Sequence, residues 1–306
     1  MTLRNGRSGR PIAAVPVTAN DGTPYLALHR ADLQGALLAA VANTESITLR
    51  LDTAVTAVAP DGNHLRIKSV SSGIDRDLTA SLVVAADGVR STVAAQLGLE
   101  APQPADAVAW RATLHGENAS NGVEAWLGPR RHAVAYPISG GRQTNLVLIE
   151  PAADAGDSAG LPRRFAAWDR RLLAMIDWTT GFTAWPLQAV AADRAWRHLG
   201  DRVVLIGDAA HAMPPYAAQG AGMAIEDAAV LAAALAEASD RPEALSRYEA
   251  ERRSRIDRLR RRVAFHRLVY HLPRPLSFGR DAVLALRSPA RLRQDLSWLY
   301  DWHPPS

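Results

Sequence analysis

The chain has 306 residues, enough for one large domain or two smaller ones, which excludes a miniprotein held together by disulfides. It has no cysteine, so disulfides, zinc–thiolate sites and iron–sulfur clusters are excluded, and redox chemistry would need an organic cofactor or a His/carboxylate metal site. The net charge of +4 does not indicate nucleic-acid binding. The absence of a membrane-length apolar run and of a signal peptide predicts a cytoplasmic protein that binds no membrane.

The first hundred residues alternate between strand and helix patterns. Strands are predicted at 12–17, 25–28, 48–59, 63–70 and 80–85, and a helix is predicted at 31–41. An Asp61-Gly62 turn predicts that the third and fourth strands form a hairpin. The last strand is continuously apolar, as expected of a strand buried on both faces of a parallel sheet.

The texture changes from about residue 100 to residue 186. Alternating β patterns separated by glycine and proline predict an antiparallel sheet with one covered face, interrupted by a tryptophan-bearing helix at 165–176. The buried-strand pattern then returns in RVVLIGDAAH, and long helices are predicted from Ala221 and over 241–269. We interpret the middle region as a second domain inserted into the first.

The segment around Asp208 carries the most chemistry. An apolar strand ends in Gly207-Asp208, which puts a carboxylate at the carboxyl edge of the sheet, where open α/β folds bind ligands. That carboxylate can accept hydrogen bonds from sugar-like hydroxyls. Gly220-Ala221-Gly222 lets the backbone approach a ligand at the start of a helix, whose N–H groups favour a negative group. Each piece alone is more often an ordinary turn, but together they predict a pocket for a polyhydroxylated, partly anionic cofactor.

The full string GDAAHAMPPYAAQGAGMAIEDA resembles the flavin-binding segment of the FAD-dependent aromatic hydroxylases. These single-component flavoprotein monooxygenases include salicylate and hydroxybenzoate hydroxylases. LALHRADLQGALL and DLTASLVVAADGVRSTVAAQLG resemble two further segments of that family, in the same order. The resemblance implies FAD as cofactor, NADH or NADPH as co-substrate, and hydroxylation of a small salicylate- or hydroxybenzoate-like aromatic substrate with O₂. The cofactor-binding residues that it implies are Arg30, Val55, Asp87, Gly88, Asp208, Pro215, Gly220, Ala221 and Gly222. No catalytic residue is assigned.

The same resemblance implies the fold. We expect an α/β protein whose Rossmann-like FAD-binding domain lacks its first β-α-β unit, with an inserted antiparallel β-sheet substrate domain and C-terminal helices. The predicted parts are 1–100 and 188–238 for the FAD-binding domain, 101–187 for the substrate domain and 239–306 for the C-terminal helical region. The first unit is expected to be missing because Gly220-Ala221-Gly222 is the only G-x-G and does not continue as G-x-G-x-x-G. The exposed edge that results favours a homodimer or a second chain that supplies the unit.

Two alternative functions stay open. A non-catalytic remnant or interaction protein that cannot hold FAD is favoured by the missing pyrophosphate loop, and a related flavin epoxidase or oxidoreductase would share the same motifs. No metal site is expected, because the histidines lack ligand spacing. His211 could act as a base, but a structural role is the expectation. The arginine-rich run 252–262 is interpreted as a solvated helix face.

Six aromatic residues cluster in the predicted substrate domain. They are Trp110, Trp126, Tyr136, Trp168, Trp178 and Trp185. We expect most of them to form the core of the sheet, and one or two to line a pocket for an aromatic substrate.

Overall fold

The computed structural model describes residues 1–116 and 122–304. In chain order its strands are β1 Thr2–Asn5, β2 Pro11–Ala14, β3 Thr53–Asp61, β4 His64–Ser71, β5 Ile74–Ala80, β6 Val83–Ala85, β7 Gln103–His115, β8 Glu124–Gly128, β9 Arg131–Ile138, β10 Gln143–Pro151, β11 Thr183–Ala189, β12 Arg197–His198 and β13 Val203–Leu205. The helices are α1 Arg30–Ala42, α2 Thr92–Gln96, α3 Leu161–Arg164, α4 Arg170–Asp177, α5 Asp208–His211, α6 Gly220–Glu237, α7 Arg241–Tyr270, α8 Leu276–Leu286, α9 Pro289–Gln294 and α10 Ser297–Tyr300. Among these helices, none combines the length and the hydropathy that a bilayer crossing needs.

The chain divides into two compact units, each discontinuous in sequence. Unit 1 comprises Met1–Ile47, Asp106–Leu187 and Arg267–Trp302. Unit 2 comprises Thr48–Ala105 and Gln188–His266, together with the chain end from His303. The division into four domains stays a prediction, because units defined by contacts need not coincide with functional domains.

Unit 1 is built on a seven-stranded sheet with the order β11-β7-β10-β9-β8-β1-β2 over the described ranges. Strands β7 to β10 pair antiparallel, whereas β1, which the sequence did not predict, pairs parallel with β8. Helices α3 and α4 cover one face, where Trp110, Trp126 and Phe165 lie in the core. The predicted antiparallel sheet with one covered face is therefore confirmed.

The opposite face of this sheet is covered only in part. Leu3 of β1 and Leu127 of β8 pack against Leu292 and Leu296 from the C-terminal segment. Farther along the sheet, Arg111 of β7 is exposed. It lies on the same face as Leu127, because the strands between the two residues are paired in register and side chains alternate between the two faces. Part of this face is thus open to solvent.

Unit 2 contains two three-stranded sheets among the described residues, with the orders β12-β13-β6 and β3-β4-β5. In the first, β13 pairs parallel with β6, so that Val203 lies opposite Val83 and Leu205 opposite Ala85. The parallel pairing predicted for the apolar run at 80–85 is confirmed. The second sheet is antiparallel, and its Asp61–His64 pair confirms the predicted hairpin at Asp61-Gly62.

The prediction of one helix over 165–176 is wrong. The chain instead forms α3 and α4, and Trp168 lies in the connection between them. Asp169 causes the break, because its side chain accepts a hydrogen bond from the Arg171 N–H and starts a new helix at Arg170. The same carboxylate accepts a hydrogen bond of 2.8 Å from the Trp126 indole N–H, which anchors α4 to the sheet.

Several strand boundaries also differ from the prediction. Residues 25–28 form no strand, and β3 begins only at Thr53, after Asp52 with a φ of 49°. Strand β5 was not predicted, although Ser72 and Gly73, with φ of 51° and 77°, make the kind of two-residue turn that joins hairpin strands. Helix α1 is present as predicted, but none of its residues is buried. The spacing of its leucines therefore predicted the helix correctly, although these leucines are not buried.

Candidate functional site

The turn after β13 presents the carboxylate that the sequence analysis singles out. Gly207 has a φ of 58° and a ψ of −141°, a conformation that glycine adopts readily and other residues rarely do. Asp208 follows as the first residue of α5 and is exposed. Its carboxylate has no protein partner within the described part of the chain. The two oxygens are therefore available to accept hydrogen bonds from a ligand.

The start of α6 lies beside this carboxylate. A Cβ atom built on Gly220 would lie 3.9 Å from Asp208 Oδ1, so the structure brings together the two segments predicted to share a pocket. No side chain caps the N-terminus of α6. The N–H groups of Gly220, Ala221 and Gly222 consequently have no acceptor within the helix. Hydrogen-bond donors and a carboxylate acceptor thus lie side by side.

These groups fit the cofactor that the resemblance implies. FAD carries sugar-like hydroxyls, which can donate hydrogen bonds to a carboxylate such as that of Asp208. It also carries ring carbonyls, which can accept hydrogen bonds from backbone N–H groups. Because Gly220 has no side chain and is exposed, a ligand can approach its backbone closely. The donor and acceptor set of this turn and helix start therefore suits a flavin.

Asp87 and Gly88 follow the end of β6. Since β6 and β13 pair parallel, this turn and the Gly207-Asp208 turn lie at the same carboxyl edge of the sheet. One oxygen of Asp87 accepts a hydrogen bond of 3.1 Å from the Val93 N–H, and Gly88 has a φ of 81°. The Asp87 side chain thus stabilises the start of α2. A direct role in cofactor binding stays a prediction for both residues.

The remaining predicted cofactor residues are more dispersed. Val55 lies on β3, next to a register shift between β3 and β4, and is partly exposed. Pro215 is half-buried in the connection between α5 and α6. Arg30 is exposed at the start of α1 and belongs to unit 1, whereas all the others belong to unit 2. Their roles stay predictions.

The open sheet face of unit 1 carries a cation and two aromatic rings. The Arg111 guanidinium carbon lies 5.8 Å from the centroid of the Trp185 ring, a cation–π geometry. Tyr136 is half-buried on the same face, two residues along β9 from Val134, which shares a row with Arg111. Burial raises the pKa of Tyr136, and the Arg111 charge opposes that rise. The face therefore combines apolar ring surface with positive charge.

Three of the six clustered aromatic residues belong to the core of the sheet, fewer than the majority that was expected. Trp110 and Trp126 are buried, and Trp168 packs against the same core. Trp178 and Trp185 are 58% and 52% exposed. Of these two exposed tryptophans, Trp185 is the one beside Arg111, a residue that the sequence analysis did not single out. An alternating sequence pattern does not show which face of the sheet is covered, so it could not indicate that Arg111 lies on the uncovered face.

His266 anchors the segment that precedes α6. Its Nδ1 lies 3.1 Å from the carbonyl oxygen of Tyr216. Burial and, as a smaller contribution, the neighbouring Arg262 guanidinium together lower the pKa of His266 from 6.5 to about 4. The imidazole is therefore neutral at neutral pH and donates from Nδ1 to the carbonyl.

We expect the protein to lose stability as the pH falls from 6.5 to 4. In this window the unfolded chain binds a proton at His266 and the folded chain does not, so protonation favours unfolding. A shift from 6.5 to about 4 corresponds to a loss of up to about 3 kcal/mol. Urea unfolding at several pH values checks this, with His266→Asn as the comparison because its amide can still donate to Tyr216. An equally steep pH dependence in that variant would contradict the assignment.

The interpretation of the run 252–262 as a solvated face is wrong for Arg252. Its side chain is fully buried and forms ion pairs with Glu226 and Asp227 of α6. His211 is buried as well, with its Nε2 2.6 Å from Asp227 Oδ2. The adjacent carboxylates Glu226 and Asp227 in an otherwise apolar helix were the sequence signal for this cluster. Over the described ranges, no group of His, Cys, Asp or Glu side chains could hold a metal ion.

Comparisons with known proteins identify the family of this chain. The family profile described as "FAD binding domain" matches residues 14–263. The chain is 29% identical to 3-hydroxybenzoate 6-hydroxylase 1 of Aquipseudomonas alcaligenes, over 97% of this chain and 78% of that protein. It is 31% identical to 3-amino-4-hydroxybenzoate 2-monooxygenase of Streptomyces cremeus, over 97% and 76%. It is 32% identical to the FAD-dependent monooxygenase OpS4 of Beauveria bassiana, over 85% and 66%.

Solved structures show the same fold. The structure of Klebsiella pneumoniae HpxO complexed with FAD and uric acid matches with a TM-score of 0.82 at 23% identity, covering 98% of this chain and 79% of that one. A salicylate hydroxylase substrate complex matches with a TM-score of 0.77 at 21% identity, covering 99% and 79%. The predicted α/β class with its antiparallel sheet is confirmed by these matches.

Proposed function

Because the chain belongs to the family of FAD-dependent aromatic hydroxylases, we propose that it is a monooxygenase that hydroxylates a small aromatic ring with NAD(P)H and O₂. The observation that carries the proposal is the unpartnered Asp208 carboxylate beside the uncapped start of α6, in a segment that the family profile covers. The names of the relatives support a benzoate-type substrate that carries a hydroxyl group.

The residues of unit 2 would bind and orient the cofactor. Asp208 would accept hydrogen bonds from the ribityl hydroxyls, and the N–H groups of Gly220 to Gly222 would donate to the polar edge of the flavin ring. Pro215, in the segment that His266 anchors, would lie over the edge of that ring. Bound FAD supplies the electron transfer from NAD(P)H and the activation of O₂. The protein contributes position and electrostatics, and no acid–base residue is assigned.

The open face of unit 1 supports an aromatic substrate that carries a negative charge. Trp185 offers an exposed ring for stacking, and the Arg111 guanidinium offers a charge partner for a carboxylate or phenolate. The Tyr136 hydroxyl, neutral at neutral pH, can donate to an oxygen of the substrate. Together these groups favour hydroxybenzoate-like rings over neutral ones.

The absorbance spectrum of the purified chain tests the proposed function first. After loading with FAD and desalting, we expect flavin bands near ~375 and ~450 nm, and then NAD(P)H oxidation stimulated by hydroxybenzoates. A chain that stays colourless after loading would contradict the proposal and favour a protein that cannot hold FAD. Product analysis separates ring hydroxylation from epoxidation.

Replacing Trp185 by alanine is expected to weaken binding of the aromatic substrate about 2- to 12-fold, because a stacking partner worth ~0.5–1.5 kcal/mol is lost. FAD affinity and stability should hardly change, since Trp185 is half exposed and lies in unit 1. Substrate titrations that follow the flavin spectrum measure the effect. Trp178→Ala is the matched control, because Trp178 is similarly exposed in the same unit. Equal losses in both variants would contradict a specific role for Trp185.

The finer points of location and assembly belong to the proposal as well. A cytoplasmic location and a homodimer each stay a prediction. Cell fractionation and light scattering of the FAD-loaded protein test them.

A further inference from the structure

A buried carboxylate links α6 to the turn that presents Asp208. Asp227 is fully buried. Its Oδ2 accepts a hydrogen bond of 2.8 Å from the Gly207 N–H and lies 2.6 Å from His211 Nε2. Its Oδ1 accepts a hydrogen bond of 2.7 Å from Arg252 Nε. One carboxylate thus joins the residue before Asp208, the last residue of α5, and α7.

The contacts around Asp227 keep it charged. Burial by itself would raise the pKa of Asp227, but hydrogen bonds from His211, Arg252 and the Gly207 N–H hold it below its ordinary value. Because an ionised carboxylate only accepts hydrogen bonds, His211 must carry a proton on Nε2. Charge-assisted hydrogen bonds of this kind are stronger and shorter than neutral ones.

The turn at Gly207 is closely packed against α6. The φ of 58° at Gly207 is in the left-handed region, and a Cβ there would lie 3.1 Å from Ala224 Cβ on α6. The turn is therefore packed closely against α6 and bonded to it by Asp227, one helical turn after Ala224. Asp208 follows Gly207 directly in the chain, so its direction depends on the φ and ψ that Gly207 adopts in this turn.

We propose that Asp227 is a positioning residue for the cofactor site, holding the Gly207 amide and the His211 ring so that the turn presents Asp208 to the ligand. This inference rests on the proposed FAD site, because Asp208 is its point of action. Arg252 fixes Asp227 from the opposite side. Glu226 belongs to the same ion cluster, where it pairs with two arginines of α7, Arg252 at 2.5 Å and Arg255 at 2.6 Å.

The adjacent carboxylates allow a matched test. Asp227→Asn and Glu226→Gln each replace a carboxylate by an isosteric amide and each remove one charge from the partners of Arg252. Only Asp227→Asn weakens the hydrogen bond that the Gly207 N–H donates. We expect it to raise the FAD dissociation constant at least tenfold, measured by flavin fluorescence well below the melting temperature of each variant. Glu226→Gln should leave the constant within about twofold, although both variants melt at a lower temperature.

Amide hydrogen exchange of the FAD-free protein supplies a second readout. We expect the Gly207 amide to exchange faster in Asp227→Asn than in Glu226→Gln or the wild type, because its charged acceptor is lost. Equal changes in both variants, for exchange or for FAD affinity, would overturn the inference. If the wild type binds no FAD, the proposed function fails, whereas the exchange rates still decide whether Asp227 holds the turn.

A variant at Gly207 keeps the inference testable if Asp227→Asn does not fold. Gly207→Ala retains Asp227, Arg252 and His211 but forces the turn away from its left-handed conformation and from Ala224. We expect at least a tenfold loss of FAD affinity with the ion cluster intact. Unchanged affinity in this variant would show that the turn geometry does not matter and would overturn the inference.

Discussion

Replacing Asp208 by alanine is expected to weaken FAD binding by about 10- to 100-fold. A hydrogen bond to a charged group contributes ~1.5–3 kcal/mol, which converts to that range of affinity, and no other protein group in the described ranges competes for this carboxylate. The stability of the FAD-free protein should change little, because Asp208 is exposed and alanine is a good helix former at the start of α5.

Equilibrium titration of the FAD-free protein with FAD measures this effect. Asp75→Ala serves as the control, because Asp75 is an exposed carboxylate of the same unit on the outer strand β5. It removes the same charge without touching the turn. Wild-type affinity in Asp208→Ala would place the cofactor elsewhere and would remove the main support for the proposed site.

Replacing Arg252 by methionine is expected to lower the free energy of unfolding by about 3–5 kcal/mol. The arginine is fully buried between Asp227 and Glu226, and breaking a buried ion pair from one side leaves the remaining charge without its partner. Methionine fills a similar volume, so the loss should come mainly from the charges and not from a cavity. FAD affinity should fall as well, because Asp227 loses the group that fixes it.

Denaturant unfolding of Arg252→Met and of Arg261→Met compares the two environments of one arginine-rich helix. Arg261 is exposed on α7, so its replacement should change the unfolding free energy by less than about 0.5 kcal/mol. Similar losses in the two variants would contradict the view that the ion cluster stabilises unit 2.

The arginine-rich run 252–262 shows what the sequence pattern of a helix can and cannot predict about burial. Composition suggested a solvated face, but Tyr248, Arg252, Ile256 and Leu259 recur at helical spacing and all are buried. Arg252 therefore occupies a core position of α7. The carboxylates that compensate its buried charge lie on α6, some 25 residues earlier in the chain. Spacing alone could have marked the position, yet only the packed helices identify its partners.

The sequence by itself determined the conformations that depend on neighbouring residues and the motifs that identify the family. The helix at α1 and the Asp61-Gly62 hairpin are set by local preferences, and the order of the flavin motifs fixed the class of protein. Tertiary structure decided which of two faces is buried, because burial depends on an element that is distant in sequence. Hence Trp126 lies in the core and Trp185 is half exposed, although both belong to β strands of one sheet.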